Sequence, residues 1–392
     1  MSPDFQALML EATRLTRGGN LAAAQAAIQA ALSGAPAAAG RAAVRPDAAA
    51  PAGPAPAATR PATARPTTAR APMPEIIDVI ARIVGEPGSP RPKRPRPAAP
   101  RGAGMTAGHH AAAGLICDYE LFVPDGASTH PQRLPLVVML HGCTQDPADF
   151  AAGTRMNQLA QEQGFIVLYP AQSRRMNPQG CWNWFKHSHQ RRGRGEPELL
   201  ASLTREVMQR HGVDPARVYV AGLSAGGAMA AVLGRCYPEL YAAVGVHSGL
   251  AAGVARDLPS ALAAMNGAWC ATPAAADGKP VIVFHGDADA TVHPHNAAGV
   301  VAGSTAVPAA VEPLAAVQPG QRRTTRRVHR GADGRVIAEH WTVHGGPHAW
   351  SGGSPVGSYT DPAGPDASAA MWRFFHDHPL PSPQDREPGA VH

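Results

Sequence analysis

From about Gly114 onward, short apolar runs bounded by turn residues alternate with stretches of helical periodicity, and this alternation leaves few folds open. The runs predict strands over 118–123, 136–140, 165–169, 217–221, 242–247, 281–285 and 336–343. Between and after them the spacing predicts helices over 155–163, 196–211, 225–237, 257–265, 295–302 and 367–378. Short apolar strands separated by helices imply a mainly parallel sheet covered on both faces, because crossover helices must pack on it. The chain from there on is long enough to bury a full core.

The front of the chain reads differently. Residues 1–33 predict a short helical hairpin, with Phe5, Leu8, Met9, Ala12 and Leu15 at helical spacing, a break at Gly18-Gly19 and Asn20 as a cap. Residues 34–105 are rich in Pro, Ala and Arg, too rich in Pro for helix or sheet, and predict a disordered linker. Residues 74–84 form one apolar, Ile-rich island inside it. Domain limits of 1–33, 34–105 and 106–392 follow. The net charge of +6 sits largely here: residues 41–101 hold eleven Lys or Arg against four Asp or Glu. No aromatic residues interleave with the arginines, so nucleic acid is not the expected partner. No stretch of about 18 apolar residues occurs, which argues against a membrane span. Residues 1–17 carry Asp4 and Glu11 and lack the apolar run of an export signal, so the expected location is cytoplasmic, with secretion left open by five cysteines.

The chemistry concentrates in four motifs. Gly222-Leu223-Ser224-Ala225-Gly226 follows a predicted strand and opens a predicted helix. A tight strand-to-helix turn of this kind projects the serine hydroxyl and needs glycine on both sides, so Ser224 is the candidate nucleophile. His141-Gly142-Cys143-Thr144-Gln145 ends another strand, where the Cys143 amide can join that of Ala225 to form an oxyanion hole. His285-Gly286-Asp287-Ala288-Asp289 ends a third. Asp289 is the preferred carboxylate to orient a histidine, with Asp287 as the fallback. His344-Gly345-Gly346-Pro347-His348 follows the last strand, and His348 is the preferred general base over His344. Asp287, Asp289, His293 and His295 also fall close enough to suggest a metal site, but no other element supplies complementary ligands, and no cofactor is expected. Trp182, Trp184 and Trp350 are candidate substrate walls.

The order Ser, acid, His is that of the α/β-hydrolase fold. Together with Cys181-Trp182-Asn183-Trp184-Phe185, Val246-His247-Ser248-Gly249 and His348-Ala349-Trp350-Ser351-Gly352-Gly353, these motifs resemble the polyhydroxybutyrate depolymerase family of esterases over about residues 114–380. The resemblance implies a Ser224–Asp289–His348 triad, an oxyanion hole at Cys143, and a Cys143–Cys181 disulfide. It implies hydrolysis of poly- or oligo(3-hydroxybutyrate) esters, with feruloyl or acetylxylan esterase activity as the alternative. A non-catalytic granule-binding scaffold is a third reading. Residues 1–105 lie outside the resemblance and are a candidate tether to a polyhydroxyalkanoate granule.

Overall fold

The computed structural model describes residues 104–381, apart from 128–129, 131, 269–277 and 315–319. The expected N-terminal hairpin and most of the expected linker lie outside the described residues.

One ten-stranded sheet runs through the described region, in the order β1-β2-β4-β3-β5-β6-β7-β10-β9-β8. Its strands are β1 (Met105–Ala112), β2 (Leu115–Phe122), β3 (Leu136–Leu140), β4 (Ile166–Ala171), β5 (Val218–Leu223), β6 (Ala243–His247), β7 (Val281–Gly286), β8 (Ala309–Leu314), β9 (Thr324–Arg330) and β10 (Val336–Val343). The six central strands, β4 to β10 in sheet order, pair in parallel. Antiparallel strands flank them on both sides. A two-stranded parallel ladder joins β11 (Trp350–Ser351) to β12 (Thr360–Asp361).

Among the described residues seven α-helices cover the sheet: α1 (Pro147–Thr154), α2 (Met156–Gln163), α3 (Gly195–His211), α4 (Ala225–Cys236), α5 (Leu258–Met265), α6 (His295–Ser304) and α7 (Ala367–His376). The period of two along each strand divides the core cleanly. Leu136, Val138, Val218, Val220, Val281 and Val283 pack with α3, α4 and α6. Val137, Met139, Tyr219, Ala221, Ile282 and Phe284 pack with α1, α2 and α7. Both faces of the central strands are therefore dry, which is why those runs are apolar at every position.

The helices fall within a few residues of their expected bounds. Three strands of the large sheet (β1, β8 and β9), the short β11 and β12, and α1 were not expected. β1 carries Gly108 and two histidines, β8 carries Pro313, and β9 is mostly Thr and Arg. β1 and β8 are the two edges of the sheet, where a strand needs no second dry face and Pro costs no ladder bond. α1 starts at Asp146, whose side chain accepts the Asp149 amide, with Pro147 in the first turn.

Candidate active site

The parallel strands end on one side of the sheet, and the four motifs meet there. Ser224 sits between β5 and α4 with φ 58° and ψ −120°. That conformation is costly for a residue with a Cβ and is held by its surroundings. Its amide donates to His247 O at 2.9 Å. The flanking glycines are sterically required. A Cβ on Gly222 would lie 2.4 Å from the Gly226 carbonyl carbon, and one on Gly226 would lie 2.0 Å from Leu140 O. β3, β5 and α4 approach so closely that only hydrogen fits.

The loop after β3 is stiffened from several directions. Gln145 Oε1 accepts the Gly142 amide at 2.9 Å, and Gln145 Nε2 donates to Asp149 and to Ser358 O. Thr144 takes φ 67° and its amide donates to Gln179 O at 2.9 Å. His141 is buried, and burial pushes its pKa down. Its Nδ1 lies 2.8 Å from Gly142 O while Nε2 accepts the Gln172 amide at 3.1 Å, so the proton sits on Nδ1. Cys143 is bonded to Cys181. Its side chain is thus occupied while the residue still lines the pocket, as does Ala225, whose amide is the first of α4 and has no intrahelical acceptor.

Asp289 is buried behind this pocket. Its Oδ1 accepts the Thr291 and Val292 amides at 2.9 and 2.8 Å. Its Oδ2 lies 2.7 Å from His348 Nδ1 and 3.3 Å from His285 Nε2. Burial alone would raise its pKa, but the hydrogen bonds and charges of His285 and His348 outweigh that and hold the carboxyl far below its usual range. Ser224 and His348 line the same pocket. No hydrogen bond joins Ser224 Oγ to His348 Nε2; in serine hydrolases such bonds commonly tighten when substrate seats.

Asp287 and His344, the fallback residues, pair with each other at 2.8 Å on the exposed side of the same two loops. The residues weighed as a metal cluster thus diverge: Asp287 faces His344, Asp289 faces His348, and the His293 and His295 rings contact each other at 4.5 Å.

The pocket has a volume of about 120 Å³. Trp184, Phe185, Leu250, Leu258 and Met265 form its apolar wall, and Thr144, Gln179 and Tyr359 its polar rim. No Lys, Arg, Asp or Glu lines it among the described residues. Of the three tryptophans expected as substrate walls, only Trp184 reaches it. Trp182 is 1 % exposed and donates to His141 O at 3.1 Å, bracing the loop after β3 from behind. Trp350, also 1 % exposed, is turned into the core by the β11–β12 ladder and donates to Ser368 Oγ at 3.1 Å. Its ring stacks on buried His247, whose pKa burial pushes down to about 3. Proximity to His348 in sequence could not reveal which way that indole points.

Several contributors had no sequence signal. Glu196 is fully buried and accepts from Gln172 Nε2, the Asn183 amide and Asn183 Nδ2, which shapes the segment bearing Trp182 and Trp184. Tyr359 reaches the pocket from far downstream, with its hydroxyl 3.2 Å from Thr144 Oγ1.

A family model described as Esterase PHB depolymerase matches residues 117–325. Poly(3-hydroxyalkanoate) depolymerase C of Paucimonas lemoignei is 33 % identical over 247 residues, covering 60 % of this chain and 58 % of that one. Acetylxylan esterase A of Talaromyces purpureogenus is 31 % identical over 197 residues, covering 45 % and 50 %. Feruloyl esterase B of Thermothelomyces thermophilus is 33 % identical over 142 residues, covering 36 % and 47 %. The chain thus spans roughly half the length of these relatives. Among solved structures, an acetyl xylan esterase from Aspergillus awamori superposes with a TM-score of 0.52 at 22 % identity, over 67 % of this chain and 94 % of that one, a likeness of fold.

Proposed function

Since this chain belongs to the Esterase PHB depolymerase family, we propose that it is a serine esterase that cleaves poly- or oligo(3-hydroxybutyrate) ester bonds through an acyl-enzyme. The observation that carries this reading is Ser224 on its strained turn, sharing an apolar pocket with the His348 ring that Asp289 orients.

In this reading the Ser224 hydroxyl attacks the ester carbonyl as His348 Nε2 takes its proton. Asp289 holds the proton on Nδ1 and stabilises the imidazolium. The Cys143 and Ala225 amides receive the oxyanion, each donor contributing about 3 kcal/mol. His348 then protonates the leaving alcohol, and water, activated by the same ring, releases the acid. No step requires a cofactor.

The apolar wall and uncharged lining suit a short aliphatic acyl group better than a sugar. The second reading, a feruloyl or acetylxylan-type esterase, draws on the named relatives. Granule association through the N-terminal extension belongs to the first. Among the described residues no helix is long and apolar enough to cross a membrane. The Cys143–Cys181 bond favours an oxidising compartment over the cytoplasmic location expected from the N-terminal residues.

The test is a substrate panel on the purified full chain. Hydroxybutyrate oligomers are expected to turn over faster than methyl ferulate or acetylated xylan, and Ser224→Ala to lower kcat by about 10⁶-fold. Faster turnover of the ferulate or xylan would select the second reading. An unchanged rate in the serine variant would leave only a non-catalytic scaffold.

A further inference from the structure

A second cavity, of about 550 Å³, lies between α6 and the face of the sheet formed by β7, β10 and β9. Strand register explains its chemistry. Val283 pairs with His340 and His340 with Arg327, while His285 pairs with Thr342. His340, Thr342, Arg327, His329 and His285 therefore share one face, and α6 adds His295 above them. No Asp or Glu lines this cavity among the described residues.

Two groups there lack complements. Arg327 Nη1 donates to Thr342 Oγ1 at 3.1 Å, yet the guanidinium pairs with no carboxylate among the described residues. His285 is 1 % exposed, and its Nδ1 is buried with no hydrogen-bond partner. Its Nε2 faces two acceptors, Val292 O at 2.9 Å and Asp289 Oδ2 at 3.3 Å. The proton therefore sits on Nε2, which leaves Nδ1 a buried acceptor without a donor. Such a group costs free energy unless something satisfies it. Among the described residues no three His, Cys, Asp or Glu side chains come together in a way that could hold a metal ion.

We infer that this cavity is a second binding site, for a small oxyanion that also carries an O–H. The His329 Nδ1–H is taken by Val307 O at 2.6 Å, so the anionic oxygens fit Arg327 and the N–H groups of His340 and His295, and the O–H fits His285 Nδ1. Hydroxy-carboxylates and hydrogen phosphate share that chemistry. His340 is consistent with it: burial first, then the charge of Arg327, pushes its pKa down to about 4, so the ring stands in a positive field that an anion would relieve. The site is distinct from the proposed active site, but His285 touches both, one nitrogen near the catalytic carboxylate and its ring on the cavity wall.

Calorimetric titration of the full chain with sodium 3-hydroxybutyrate and, separately, with inorganic phosphate tests this. Saturable binding is expected for at least one, and the tighter arm identifies the source. Arg327→Gln should weaken it about tenfold, the loss of one charge-assisted contact, while Arg327→Lys recovers most of it. Neither change should alter ester turnover at low anion concentration. Should Arg327→Gln melt early, His340→Gln, which keeps the guanidinium, is read by the same criterion. Failure of both anions to saturate, or a loss below about fivefold in the folded variant, overturns the proposal.

Discussion

Two carboxylate–histidine pairs stand on the same two loops of this protein, and they are built for different work. Asp289 and His348 meet at 2.7 Å, Asp287 and His344 at 2.8 Å. The acids are separated by one residue and the histidines by three, so each pair looks like the other in sequence. Their surroundings differ. The Asp289 side chain is fully buried, receives two further amides and touches a second imidazole, and its His348 lines the pocket. The Asp287 side chain is 42 % exposed, receives the Gly345 amide, and its His344 turns away to Thr325 Oγ1 at 2.8 Å. The first pair can orient a base and stabilise the charge it acquires. The second bolts the two loops together in water. Distance alone does not tell the two pairs apart; dehydration and a shared pocket do.

The largest expected effect separates the pairs outright. Asp289→Asn should lower kcat on a short-chain ester by about 10⁴-fold, because the amide cannot hold the proton on His348 Nδ1. Asp287→Asn should change it by less than about tenfold. Comparable losses from the two would show that the exposed pair shares the chemistry.

Acid stability should divide them next. Both carboxyls are held below their ordinary range in the fold, Asp289 far more so. A depressed folded pKa gives stability that is present above the unfolded value of about 3.9 and lost as pH falls through the folded one. The urea midpoint of the wild type should therefore drop steeply from about pH 4 downward. Asp289→Asn should start roughly 3 kcal/mol less stable at pH 7 and fall more gently below pH 4. Asp287→Asn should keep most of the wild-type slope, since exposure screens its interaction. Parallel curves for wild type and Asp289→Asn would deny the buried carboxylate its role.

Much of this was legible before the structure, and the residues show why. Central strands such as Leu136–Leu140 are apolar at every position because both faces are covered, and the turn around Ser224 requires its two glycines. These signals are local. The edge strands β1 and β8, and β9 beside the latter, satisfy no such double constraint and read as loop. Asp289 and His348 were preferred from motif position, but what distinguishes them from Asp287 and His344 is which side of a loop turns inward, a property of packing. The same limit misplaced Trp182 and Trp350. Large aromatics beside a candidate base suggest a substrate wall, whereas here one braces the loop after β3 and the other fills the core. Tyr359 and Glu196 act through contacts far apart in sequence, which no spacing rule reaches.

The smallest effect sharpens the comparison furthest. A double-mutant cycle of Asp287→Asn with His344→Gln, followed by urea unfolding, isolates that one contact from the Gly345 amide that also serves the carboxylate. An exposed pair of this kind should give a coupling of about 0.5 kcal/mol. At 1 M salt the Debye length falls to about 3 Å and the coupling should vanish. The matching cycle across Asp289 and His348 should keep most of its larger coupling at the same salt, because ions cannot enter a dehydrated contact. Equal salt sensitivity in the two cycles would mean that water reaches Asp289, and the buried carboxylate would then lose the environment that lets it hold a proton on the neighbouring ring.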